Sequence, residues 1–426
     1  MSPAQTHTSS RPAGHIRLHE VDLLRFLAAM AVVLYHYTGG NGGAFKDETA
    51  RDLFTPVSKI TQFGYLGVEL FFLISGFVIL MSVWGRGLAD FAVSRITRLY
   101  PAYWFSVALI GAIYLTTGLG RGRPEDLIPN LTMFQRGMGV TDVSGVFWTL
   151  WVEMHFYALI ALLVVAGTTY RNCLAFMATW SVLAIFADET GNETLKNLLI
   201  PSYAPYFVAG MAFYLIHRFG SNLLLWGIAA FSWAVSIRHA VPAATGKPYH
   251  IAPADAWPAA PVIVTATYAV MALVAIGALR RLRWRFFATL GALTYPTYLI
   301  HYELGPLIGH AIYPDIPRWP ATAIIVAAVL AAAYLIHRFV ERPAAAWLKP
   351  RLRESFTRLR RIDRGLRKTS RTNNTTPSAP EKPDHPRTTA ETTAETSGDT
   401  PTDPTPRRDE EEPHGPTPSA PIGSTI

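Results

Sequence analysis

From residue 21 to residue 339 the chain alternates between apolar runs of bilayer-crossing length and short polar connections. A helix needs about 20 mostly apolar residues to cross the hydrocarbon core, and the pattern predicts ten spans: 21–38, 64–84, 101–118, 147–167, 173–188, 201–217, 223–240, 260–279, 287–312 and 319–339. The expected fold class is all-α: a polytopic membrane protein of about ten transmembrane helices with a disordered C-terminal tail. Residues 1–20 read as an N-terminal segment, 21–345 as the transmembrane domain, 346–364 as a basic juxtamembrane stretch and 365–426 as the tail. An even number of spans puts both termini on one side. Arg86, Arg95, Arg98, Arg171, Arg218 and Arg342 all follow even-numbered spans, so the positive-inside bias makes that side the cytoplasm. No small-x-small cleavage site interrupts the first span, which reads as an uncleaved anchor in the plasma membrane.

Composition agrees. Half of the chain is hydrophobic, 16% is charged and the mean hydropathy is +0.21. The net charge of +8 comes from residues beside spans and in the tail, so membrane lipids, not nucleic acid, are the expected partners. The single cysteine, Cys173, excludes an internal disulfide and a metal site of paired cysteines, and no metal is expected. Beyond residue 362, stretches such as TTAETTAETSGDTPTDP carry too few large apolar groups to bury a core.

Charged groups at bilayer depth cost on the order of 2.5 to 3.5 kcal/mol each on insertion scales, so they mark sites. Arg25 and His36 are eleven residues apart in span one, which places them on one helix face about 16 Å apart. Arg95 and Arg98, spaced i,i+3, approach span three and join Arg25 in a guanidinium-lined mouth on the cytoplasmic side. Counting turns puts His36, Glu69, Glu153 and His301 in one layer in the outer half. Guanidiniums present a fixed fork of donors to anionic oxygens, and a carboxylate beside an imidazole suits general-base chemistry. The separation fits a donor whose reactive end hangs on a flexible arm, such as acyl-coenzyme A. Tyr295, Tyr298 and His301 form a polar stripe in span nine next to Pro296, expected to line a pocket. Ser75 lacks a nucleophile elbow and reads as packing, and Gly64, Gly67 and Gly76 as sites of close helix approach.

Blander roles compete at each position. Arg25 can pair with Asp22, His36 can sit at the interface, Glu69 and Glu153 can make interhelical hydrogen bonds, and Arg95 and Arg98 can serve topology alone. A proton-coupled transporter also uses intramembrane His and Glu residues, although no internal repeat of the transporter kind is evident.

DLLRFLAAMAVVLYH with its Arg-x10-His spacing, GYLGVELFFLISGF, FAVSRITRLYPAYW, FWTLWVEMHFY, TYPTYLIH and the closing ERP stand in that order between residues 20 and 345. In this the sequence resembles the membrane acyltransferase-3 family of bacterial O-antigen, exopolysaccharide and macrolide O-acyltransferases. The resemblance implies transfer of an acyl group, acetyl or short-chain, from cytoplasmic acyl-CoA to a hydroxyl of a carbohydrate-containing acceptor. On that reading His36, Glu69 and Glu153 are the catalytic candidates, Arg25, Arg95 and Arg98 bind the donor, and Tyr298 and His301 bind substrate.

Overall fold

The structure, a computed structural model, describes residues 17–373 apart from 43, 46–48 and 119–122. Two compact units divide the chain, Met1–Leu366 and Arg367–Ile426. The second, like most of the tail expected to be disordered, lies outside the described residues beyond Asn373, as do the first sixteen residues of the N-terminal segment.

The described chain is helical, without a β-strand. Its long helices are α1 (His19–Leu34), α2 (Gly67–Val83), α3 (Leu88–Thr117), α4 (Trp148–Ala166), α5 (Tyr170–Thr190), α6 (Ala204–Phe219), α7 (Leu223–Thr245), α8 (Pro253–Ala275), α9 (Phe286–Ile312), α10 (Arg318–Ile336) and α11 (Arg342–Asn373). Among the described residues nine helical stretches are long and apolar enough to cross a membrane, the last of them Arg318–Leu359, which runs from α10 into α11. Helix α9, expected as the ninth span, is as long but is not one of the nine. Its sequence TYPTYLIHYE carries a tyrosine, histidine and glutamate stripe where a lipid-facing helix would be apolar.

Local sequence accounts for the ends. Glu20 and Asp22 occupy the first turn of α1, where the helix dipole favours acids. The side chains of Thr169 and Asn222 accept from the amides of Asn172 and Leu225 and cap α5 and α7. Gly118 and Gly191 close α3 and α5 at φ near +70°, a conformation that costs glycine nothing.

Helix α6 is the centre, with 89% of its most apolar window buried. It packs on α2 so closely that a side chain at Gly76 would strike the Phe207 carbonyl, and one at Gly210 the Leu73 carbonyl. Gly64 and Gly67 meet the carbonyls of Ala31 and Ala28 on α1 in the same way. Helix α9 packs against α1, α3 and α10, which lays its polar stripe along the interior.

Two of the boundary shifts bear on the site. Helix α3 begins at Leu88, not at 101, and runs through Pro101, so Arg95 and Arg98 belong to the helix that crosses. Their polar turn had the look of a connection because its side chains face a cavity. The juxtamembrane stretch 346–364 lies within helix α11, which follows a π-helical turn at His337–Glu341 without a break at 345.

Candidate active site

Three cavities adjoin inside the bundle. One, where α3 begins, is lined by Ser94, Arg95, Thr97, Arg98, Glu341 and Lys349. A second shares Arg95 and Arg98 with it and adds Arg25, Ser75, Glu153 and Tyr157. A third shares Val68 and Tyr298 with the second and is lined by His36 in a ring of Tyr35, Tyr65, Tyr249 and Tyr302. The middle cavity is a neck of about 90 Å³ and the third a chamber of about 690 Å³. The chamber meets, at Arg136 and Gly145, a further opening beside the 136–145 loop.

The neck is positively charged by its lining. Three guanidiniums face one carboxylate, and that carboxylate, Glu153, already accepts the Tyr157 hydroxyl at 2.5 Å. Arg25 makes no hydrogen bond or ion pair within 4.0 Å among the described residues. Its neighbour Asp22, available in sequence to neutralise it, is held by Arg17 Nε at 2.6 Å. Arg95 Nη2 donates to Ser94 Oγ at 3.0 Å, while its Nε is shielded and has no partner among the described residues. Guanidinium nitrogens only donate, so an anionic oxygen entering the neck completes them.

The chamber presents an imidazole. After Leu34 the helix widens into a π turn, Tyr35–Gly39, which carries His36; such turns re-aim side chains and recur at functional sites. Gly39 makes the turn possible, because a side chain there would strike the backbone of Thr61 and Gln62. The His36 ring lies 4.8 Å from Tyr35, 4.8 Å from Tyr302 and 5.3 Å from His301, between ring centroids.

The expected residues therefore fall into different places. Arg25, Arg95, Arg98 and Glu153 come together in the neck; Glu153 is not beside His36, which corrects its expected place in the outer layer. Counting turns fixes height on a helix but not the direction a side chain takes. Tyr298 stands where neck and chamber meet, its hydroxyl accepting from Thr149 Oγ1 at 2.9 Å. Glu69 and His301 line neither cavity. Glu69 Oε2 is shielded and without a partner among the described residues. His301 is fully buried behind His36. Ser75, expected to be packing, lines the neck. No group of three or more His, Cys, Asp or Glu side chains able to hold a metal stands together among the described residues.

Sequence reasoning passed over the chamber's aromatic wall. Tyr65 and Tyr249 stack at 3.7 Å between centroids, with Tyr35 edge-on to both. Tyr249 lies in the connection after α7, where no periodicity marks it. Tyr157 was within reach, four residues after Glu153 and so on the same helix face.

A family model described as an acyltransferase domain, the acyltransferase-3 family, matches residues 18–338. That stretch contains the neck, the chamber and all eight candidate residues, and the chain belongs to this family. The chain is 25% identical over 372 residues to Acyltransferase MdmB from Streptomyces mycarofaciens, covering 78% of this chain and 92% of that protein. It is 26% identical over 274 residues to Nodulation protein 10 from Rhizobium leguminosarum bv. viciae, covering 55% of this chain and 70% of that protein. No solved structure matches. The protein is a membrane acyltransferase, and the transporter reading of its buried histidines and glutamates gives way to acyl transfer.

Proposed function

We propose that the protein transfers an acyl group from acyl-CoA to a hydroxyl of a carbohydrate-containing acceptor. The observation that carries this reading is the adjoining neck and chamber: an arginine-lined cavity and a cavity lined by His36 meet at Val68 and Tyr298. Arg95 and Arg98 hold the donor's phosphates at the mouth, Arg25 holds anionic oxygens deeper in, and the narrow neck admits the pantetheine arm with its thioester. The acceptor occupies the chamber, where tyrosine rings offer both apolar faces and hydroxyls to a sugar. Acyl transfer agrees with the name of one relative, Acyltransferase MdmB.

His36 acts as general base. It takes the proton of the acceptor hydroxyl as the oxygen bonds to the thioester carbon. The tetrahedral intermediate collapses, the carbon–sulfur bond breaks, and the coenzyme A sulfur takes the proton from His36. Glu153, bonded to Tyr157, sets the arginines in place and limits the positive charge of the neck. Tyr298 contacts substrate where the arm enters the chamber. Glu69 stands behind the tyrosines, outside the lining of either cavity. Both termini are cytoplasmic and the membrane is the plasma membrane, which gives the arginine mouth access to cytosolic acyl-CoA.

The test is purified protein in lipid nanodiscs with radiolabelled acetyl-CoA and longer acyl-CoA donors, assayed for thioester turnover with and without candidate glycosides. Turnover stimulated by a glycoside and blocked by coenzyme A is expected. No turnover of any acyl-CoA together with no binding of coenzyme A refutes the donor assignment.

A further inference from the structure

Helix α9 presents a second imidazole to the first. His301 Nδ1 lies 2.8 Å from the Tyr298 carbonyl, and the His301 carbonyl accepts the Tyr37 hydroxyl at 2.6 Å. A carbonyl only accepts, so Nδ1 carries the proton and Nε2 of the neutral ring is left as a lone pair. That Nε2 is shielded from solvent and has no hydrogen-bond partner among the described residues, on a side chain of 0% exposure. One bond fixes the ring through its own helix turn, and the other ties the His301 backbone to the π turn that carries His36. The rings of His301 and His36 stand 5.3 Å apart at 47°.

Building on His36 as the base, we propose that His301 is its positioning residue: the Nε2 lone pair of His301 accepts an N–H of His36. A neutral imidazole has one proton and one lone pair on its two nitrogens. Directing the N–H of His36 toward His301 turns the lone pair of His36 to the acceptor hydroxyl. When His36 takes that proton, the N–H facing His301 becomes an imidazolium donor, and the bond to Nε2 strengthens as the charge forms. No proton passes to His301: the one that His36 gains from the hydroxyl goes on to the departing sulfur. His301 touches neither substrate and acts only through His36. This is the part played by a carboxylate where a base is oriented by a third group.

The chemistry of the two ring nitrogens supplies the test. His301→Asn keeps a donor at the Nδ1 position, for the Tyr298 carbonyl, and loses the acceptor at Nε2. His301→Gln reaches the Nε2 position with an amide oxygen. With both variants inserted and monodisperse, His301→Asn is expected to lower kcat at least about tenfold with KM for acyl-CoA and acceptor within about twofold, because a general base is worth about 10² to 10⁴. His301→Gln is expected to recover several-fold of that loss. The double variant His36→Gln/His301→Asn should be no slower than His36→Gln, since the residues act as a unit. Wild-type kcat in His301→Asn, or equal losses in Asn and Gln variants, overturns the assignment while an inactive His36→Gln preserves the base. Near-normal turnover in His36→Gln removes the base and this assignment with it.

Discussion

Arg95 and Arg98 are one helical turn apart and carry the same charge, yet they should respond differently to removal. Arg98 is exposed at the mouth, whereas Arg95 is half-buried with its Nε shielded and unpartnered. A hydrogen bond to a charged group is worth about 1.5 to 3 kcal/mol, and water takes the place of a lost partner at an exposed site. Arg98→Ala belongs at the lower end, about tenfold in KM for acyl-CoA, and Arg95→Ala at the upper end, about a hundredfold. The Arg98 contribution should also shrink in salt, because charges in solvent are screened beyond about 10 Å at 0.1 M, while that of Arg95 should persist. Initial rates at saturating acceptor, taken at low and high ionic strength, measure both. An unchanged KM in both variants, or a fall confined to kcat, would show that these arginines serve topology and not the donor.

Other consequences follow from the same geometry. His36→Gln should lose about a hundredfold or more in kcat while binding coenzyme A normally by calorimetry; a loss of binding would place His36 in the donor site. Val68→Trp, at the junction of neck and chamber, should leave coenzyme A affinity intact and abolish transfer, and retained transfer would mean that the arm does not pass there. Gly76→Leu should reduce thermal stability and detergent-extracted yield more than any of these, because its side chain meets the Phe207 carbonyl on the central helix; a wild-type melting temperature would contradict the close packing of α2 on α6.

Helix positions were legible because lipid imposes a single rule on outward faces, and long apolar runs obey it. The rule weakens inside. The start of α3 was misplaced because Ser94, Arg95, Thr97 and Arg98 are polar for the sake of a cavity, not of a loop. The charged residues were legible as a set, since their cost demands a reason, but their grouping was not. Glu153 was placed with His36 by height and stands with Arg25, Arg95 and Arg98. His301 was expected to bind substrate and is sealed behind His36. Tyr65 and Tyr249 come from different connections and meet only through tertiary packing, which leaves no local pattern to read.

Adjoining cavities through a membrane protein raise a problem of electrical insulation. A water-filled path along Lys349, Arg98, Tyr298 and His36 would discharge the ion gradients of the cell whenever it was empty. The neck meets this with the same charges that are proposed to recruit the donor. Three guanidiniums in about 90 Å³ raise an electrostatic barrier to protons and sodium, as an arginine does in selective pores. On the proposed reading, an anionic donor would neutralise the barrier only while its own arm plugged the hole. Removing Arg25 should thus be felt beyond catalysis, as a proton leak in sealed vesicles that coenzyme A suppresses.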